Sequence, residues 1–156
     1  MILRNNEALR ILCGIPTRWM ADAHVHSDET DFTFVDFIKG LFSPEADIGL
    51  LLVKAMEATD PEGMHPERAD YILNTRVPLL ALYRCFLSDE QEEFAEKLDE
   101  ALKSHEDWWS NDASDPEGWI SLELVAVLAL AYMNKGWTVP VESDYIPQWL
   151  VTGKYL

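Results

Sequence analysis

One stretch of this chain carries the side chains of a metal site: Asp22-Ala-His24-Val-His26-Ser-Asp28-Glu29-Thr-Asp31. Neutral imidazoles beside carboxylates suit zinc or iron, and a bound metal would make Asp22, His24, His26 and Asp31 the centre of a metal-dependent hydrolase. A His-x-His pair serves this purpose on extended backbone, where alternate residues share a face; on a helix the two rings diverge. The remaining histidines, His65 and His105, stand in no ligand pattern. The cluster also reads as a loop with solvated histidines, which is the expectation adopted, with no metal and no cofactor assigned. No glycine-rich phosphate loop, nucleophile elbow, HExxH or CxxC pattern occurs.

Two further side chains could do chemistry. Between Trp119 and Met133 the only ionisable groups are Glu123 and the phenol of Tyr132. A carboxyl buried there would resist ionisation and serve as an acid. The alternative, preferred here, is an ion pair with an arginine such as Arg76 or Arg84. Cys85 follows Arg84 and could be an activated thiolate. With no base assigned to it, a small buried hydrophobe is the expectation.

The elements that would position these groups are helical. Apolar residues recur at helical spacing and no stretch sustains strict alternation, which predicts an all-α, single-domain bundle of about six helices over residues 1–156. At its centre stands a helix over 119–135, apolar on every side and therefore wrapped by others. Asp115 is expected to cap it, Pro116 to occupy its first position and Gly136 to stop it. A length of about fifteen residues falls short of a membrane span.

Upstream, residues 3 to about 20 predict a first helix that Gly14 and Pro16 can cut. A second places Phe34, Phe37, Ile38, Leu41 and Phe42 inward. A third opens at Ser43-Pro44-Glu45 and ends near Asp60-Pro61-Glu62-Gly63. Another, from Pro66 to Phe86, contains Pro78, which predicts a kink over Asn74–Pro78. Ser88 is then expected to cap an acidic helix whose apolar stripe is Phe94, Leu98, Ala101, Leu102 and Trp109. The tetrapeptide Asp-Pro-Glu-Gly stands at 60–63 and again at 115–118, where turn chemistry explains it without duplication.

Charge narrows the partners. The 156 residues carry 28 Asp and Glu against 12 Lys and Arg, a net charge of −16. Such a surface repels nucleic acid and anionic lipid, so neither is expected as a direct partner. Two cysteines make no disulfide framework, and the N-terminal residues lack the apolar run of a secretion signal; the cytoplasm is the expected compartment. The acidic helix concentrates Asp89, Glu90, Glu92, Glu93, Glu96, Asp99, Glu100, Glu106 and Asp107 against Lys97 and Lys103. A run of this kind is either a solvated face or a docking surface that steers a cationic partner.

The C-terminal segment favours the second reading. DPEGWISLELVAVLALAYMNKGWTVPVESDYIPQWLV, at 115–151, resembles the closing segment of immunity protein family 49 of bacterial polymorphic toxin systems. A DPEG-like opening, a core helix of small and aliphatic residues, and a VESDYIP-like run come in the same order. The likeness extends back to about Pro78 through VPLLALYRCFLSDEQEEF and SHEDWW and is faint before Leu50, the chain being shorter at its N-terminus than the family pattern. The motif residues would hold the tail to the bundle: Tyr145, Ile146 and Trp149 as apolar pins, Asp144 as a backbone acceptor, Pro147 as a rigid turn.

The resemblance implies a cytoplasmic immunity protein that neutralises its cognate toxin by stoichiometric binding, without catalysis. A toxin that attacks nucleic acids would carry a basic cleft, and an acidic helical face could fill or block it. Glu92, Glu93, Glu96, Glu100, Glu106 and Asp107, with Asp112 and Asp115 in the following loop, are the expected contact face. Trp108 is an aromatic anchor beside it. A helical adaptor with another basic partner remains the alternative from a non-enzymatic class, and exposed aromatics also allow a homodimer.

Overall fold

The computed structural model describes residues 2, 4–23, 27–112, 114–138 and 141–154, and among these the protein is all-α, with no strand. Two compact units emerge, one of residues 5–70 and one of residues 71–156 together with 1–4.

In the 5–70 unit, α1 (Asn6–Gly14) and α2 (Arg18–Asp22) replace the single first helix, because Ile15 at the end of α1 is extended and Pro16 follows it. The next helix, α3 (Glu29–Gly40), begins in a capping box: Asp28 accepts from Thr30 N at 3.1 Å, and Asp31 accepts from Asp28 N at 3.1 Å. Helix α4 (Ile48–Glu57) starts later than Ser43-Pro44-Glu45, since the side chain that satisfies its first turn is Asp47, accepting from Leu50 N at 3.0 Å. Thr30, 1% exposed, donates from Oγ1 to the Ala58 carbonyl at the end of α4, and Phe37, Leu52, Ala55 and Met64 fill the interior. From α5 (Pro66–Tyr71), Arg68 reaches back to the start of α3.

The other unit opens on a π turn, Ile72–Arg76, in which Val77 N–H donates to the Ile72 carbonyl. Its place matches the expected kink. Pro78 has no N–H for the carbonyl four residues back, and the wider turn redistributes the backbone bonds just before it. Helix α6 (Val77–Ser88) follows and packs on α7 (Gln91–Trp109) and on α8 (Leu122–Lys135). Ser88 belongs to the end of α6 and caps nothing; Asp89, in a left-handed conformation with φ of 62°, makes the corner, and Glu90 precedes α7.

The apolar helix is α8, and it begins at Leu122, later than both Trp119 and the first position expected for Pro116. Asp115 and Pro116 form a separate 3₁₀ turn, Pro116–Gly118, with Asp115 Oδ1 accepting from Glu117 N at 2.9 Å. The earlier Asp-Pro-Glu-Gly makes the same turn, with Asp60 Oδ1 accepting from Glu62 N at 3.0 Å. Residues Val127 to Ala131 are all buried, so α8 is enclosed on every side at its middle. It stops at Gly136, whose φ of 69° is the left-handed conformation that glycine adopts without strain. The stretch Pro116–Lys135, 20 residues, is long and apolar enough to cross a membrane by composition, but its middle lies against α6 and the last helix, α9 (Gln148–Thr152).

The tail closes the unit. Ile146 is 1% exposed, and the Tyr145 carbonyl accepts from Ser121 N at 3.0 Å, satisfying a donor at the start of α8. Trp149 departs from its expected role: it is 52% exposed, and Val151 supplies the inward contact of α9. Ser143 Oγ, rather than Asp144, accepts from Tyr145 N.

Candidate functional site

Helix α7 divides cleanly into two faces. Phe94, Leu98, Ala101 and His105 are buried, one turn apart, and draw the helix against its unit. At about 100° per residue, Glu92, Glu96, Asp99, Glu100, Lys103, Glu106 and Asp107 fall within an arc of about 120° on the opposite side. All seven are exposed. A helix that buries one stripe must carry its polar residues on the other, and here those are nearly all acids.

The members of this face differ in what holds them. Among the described residues, Glu92, Glu96, Asp99, Glu106 and Asp107 form no ion pair. Glu100 is tied to Lys97 at 2.7 Å, and Glu93 lies off the arc, paired with Arg84, which also holds Glu90 at 3.0 Å. Asp112 accepts from both N and Oγ of Ser114, bonds that hold its carboxyl below its ordinary value, and Asp115 is used in the 3₁₀ turn. Trp108 is half-buried, edge-on to Tyr71 with ring centroids 5.6 Å apart. Asp99 belongs to the face, which the spacing of seven residues from both Glu92 and Glu106 could have shown. Net charge itself does not single α7 out: the unit that contains it has 15 acids against 7 Lys and Arg, the other 13 against 5.

On the inward side of α7, toward its C-terminal end, lies a cleft of about 240 Å³. The π turn contributes Asn74 and Thr75, α7 contributes His105 and Trp109, and the start of α8 contributes Ser121 and Glu123, with Tyr71 and Glu117 at its sides. Glu123 is not the buried acid that an all-apolar helix suggested. Its side chain is 45% exposed and bonds through Oε1 to Arg76 Nη1 at 2.8 Å, while Arg76 is the buried partner at 9%. The ion pair with Arg76 matches the preferred expectation.

His105 sits in the floor of the cleft with Nε2 3.2 Å from the Gly118 carbonyl and its ring edge-on to Tyr145 at 5.0 Å. A Cβ at Gly118 would stand 2.8 Å from Trp109 Cβ, so glycine lets this turn approach α7. Burial lowers the pKa of His105 below 6.5, against the opposing influence of the Gly118 carbonyl and Glu123. The neutral ring is thus favoured in the fold, and its contribution is complete above the unfolded value and lost as pH falls below it. Melting temperature is expected to decline between about pH 7 and pH 5, and His105→Gln should flatten that part of the profile.

The first-noted metal cluster is not assembled from the described residues. His24 and His26 lie outside them, and Asp22 ends α2. Asp31 is held by both Arg68 nitrogens, at 2.7 and 3.1 Å, and Asp28 by the same guanidinium at 2.8 Å. Cys85, Glu90 and Glu93 do converge, but Arg84 pairs with both carboxylates and lies 3.4 Å from the Cys85 sulfur, placing a fixed cation where an ion would sit. Burial raises the Cys85 thiol, which is fully enclosed, in keeping with a small hydrophobe.

Comparison with protein families matches residues 1–150 to the family described as Immunity protein 49. The match reaches through the first helices, beyond the region where the sequence likeness is firmest. Neither the curated proteins nor the solved structures yield a match.

Proposed function

The chain belongs to the immunity protein 49 family, and from that premise we propose that it neutralises its toxin by direct, stoichiometric binding through the acidic face of α7, in the cytoplasm and without catalysis. An immunity function and a toxin partner follow from the family. The observation that carries the finer reading is the row of exposed carboxylates on α7, of which Glu92, Glu96, Asp99, Glu106 and Asp107 form no ion pair among the described residues. Carboxylates left without internal partners keep their long-range field, and they need not exchange an existing ion pair for a new one on binding.

A basic counter-surface is the natural complement. In a toxin that cleaves nucleic acid, that surface would be the cleft that receives the phosphate backbone, and an acidic helix can occupy it or stand across its mouth. The face spans most of α7, whose 19 residues extend about 28 Å, long enough to cover such a cleft.

The test is a titration of the cognate toxin with this protein. Residual toxin activity should fall linearly and reach its floor at one equivalent, and the two proteins should elute together. Suppression by a small fraction of an equivalent would mean turnover and would overturn the binding mechanism.

A further inference from the structure

We propose that the cleft between the π turn, the end of α7 and the start of α8 is a socket for a cationic side chain of the bound toxin, an arginine in particular. The socket rests on the immunity reading for its user, but its chemistry is independent of that reading.

Size comes first. A volume of about 240 Å³ accommodates one long side chain and little more. Two walls are aromatic, Tyr71 and Trp109, and two carboxylates, Glu117 and Glu123, stand at the same opening. Rings and carboxylates together suit a guanidinium, which stacks its plane on an aromatic face while its edge donates to oxygen. Glu123 is bonded through Oε1 to the buried Arg76, and Glu117 adds a second carboxylate to the lining. His105 in the floor is bonded at the Gly118 carbonyl, leaving aromatic surface rather than another positive charge beneath the occupant.

The cleft lies along the inward side of the last turns of α7, where Ala101, His105 and Trp109 line it, away from the exposed acidic arc. The loop from Asp112 to Asp115 then leads into Glu117. A basic partner drawn to that acidic loop finds the recess beside Glu117, and buried anchors seated in such recesses dominate affinity while surrounding charges set the approach.

The test uses the full chain and two short probes, acetyl-Gly-Arg-Gly-amide and its citrulline counterpart, which keeps the shape and removes the charge. Nuclear magnetic resonance follows the Trp109 indole and the Tyr71 ring. The arginine peptide should shift both in a saturable manner at millimolar concentrations, the citrulline peptide should bind at least about tenfold more weakly, and Glu117→Lys, at an exposed position, should abolish the shifts without changing the melting temperature. Equal binding of both peptides, no shift with either, or unaltered binding by Glu117→Lys would overturn the socket. In the complex, Glu117→Lys should speed toxin dissociation by about tenfold or more. A chain that captures toxin while ignoring the arginine peptide loses the socket and keeps the immunity mechanism; one that binds the peptide and captures no toxin does the reverse.

Discussion

Reversal of Glu96 and Glu100 to lysine is expected to slow association with a basic toxin by about ten- to a hundredfold at low ionic strength and to flatten the dependence of that rate on salt. Both residues lie on the exposed arc of α7, one helical turn apart, at the centre of its acidic row. Glu96 forms no ion pair among the described residues, so its replacement removes only field. Glu100→Lys also removes the contact with Lys97 and sets two ammonium groups three residues apart, which costs only about 0.5 kcal/mol on an exposed surface. The variant should therefore melt close to the parent while protecting cells poorly. Stopped-flow association at several salt concentrations reads the rate directly. Parental rates and parental protection in the double variant would remove α7 from the interface.

The second large effect is on stability. Phe94→Ala should lower it by about 3–5 kcal/mol, measured as the displacement of the urea midpoint. Phe94 is wholly buried, and its ring meets Trp137 edge-on at 5.4 Å. Trp137 in turn meets Phe86 at 6.3 Å, and Lys135 places its ammonium 4.8 Å from the Trp137 ring and 5.0 Å from Phe86. Removal of the Phe94 ring leaves a cavity beside Trp137, whose own contacts with Phe86 and Lys135 restrain it from collapsing inward. Protection should fall with the folded fraction and recover when the temperature is lowered, which separates this variant from the charge reversal. A loss under about 1 kcal/mol would mean that the cluster repacks and is not the centre of the unit.

The residues that announced themselves in sequence were those whose local chemistry permits one outcome. Gly136 ended α8 because a left-handed residue there is cheapest as glycine, and Pro78 marked the place of an irregularity, expected as a kink and found as a π turn just before it, because its missing N–H cannot be replaced. The buried stripe of α7 was readable from Phe94, Leu98 and Ala101 at helical spacing. Helix beginnings were less legible. Ser43, Ser88 and Asp115 each have the composition of a cap, yet Asp47 caps α4, Glu90 precedes α7, and Asp115 serves a turn of its own. A short polar side chain followed by helix-forming residues satisfies a turn as readily as a helix, and tertiary packing decides between them.

The cleft was invisible at that level because it joins Tyr71, Trp109, Glu117 and Glu123 from separate segments, and no one of them has an unusual neighbour in sequence. Glu123 shows the reason most clearly. Within its helix it looks like an isolated buried acid, and only the packing of the π turn against the opening of α8 reveals that Arg76 is the buried partner.

The bond from Ser121 N to the Tyr145 carbonyl sets an order of events during synthesis. The apolar helix α8 leaves the ribosome before the strap that secures its leading end, so for an interval its greasy surface has no finished cover. Ile146 arrives with that strap and plugs the same unit. A single cut between Gly136 and Tyr145 would remove the covalent link between this strap and the helix it secures, leaving the closure to the Ser121 bond and the burial of Ile146.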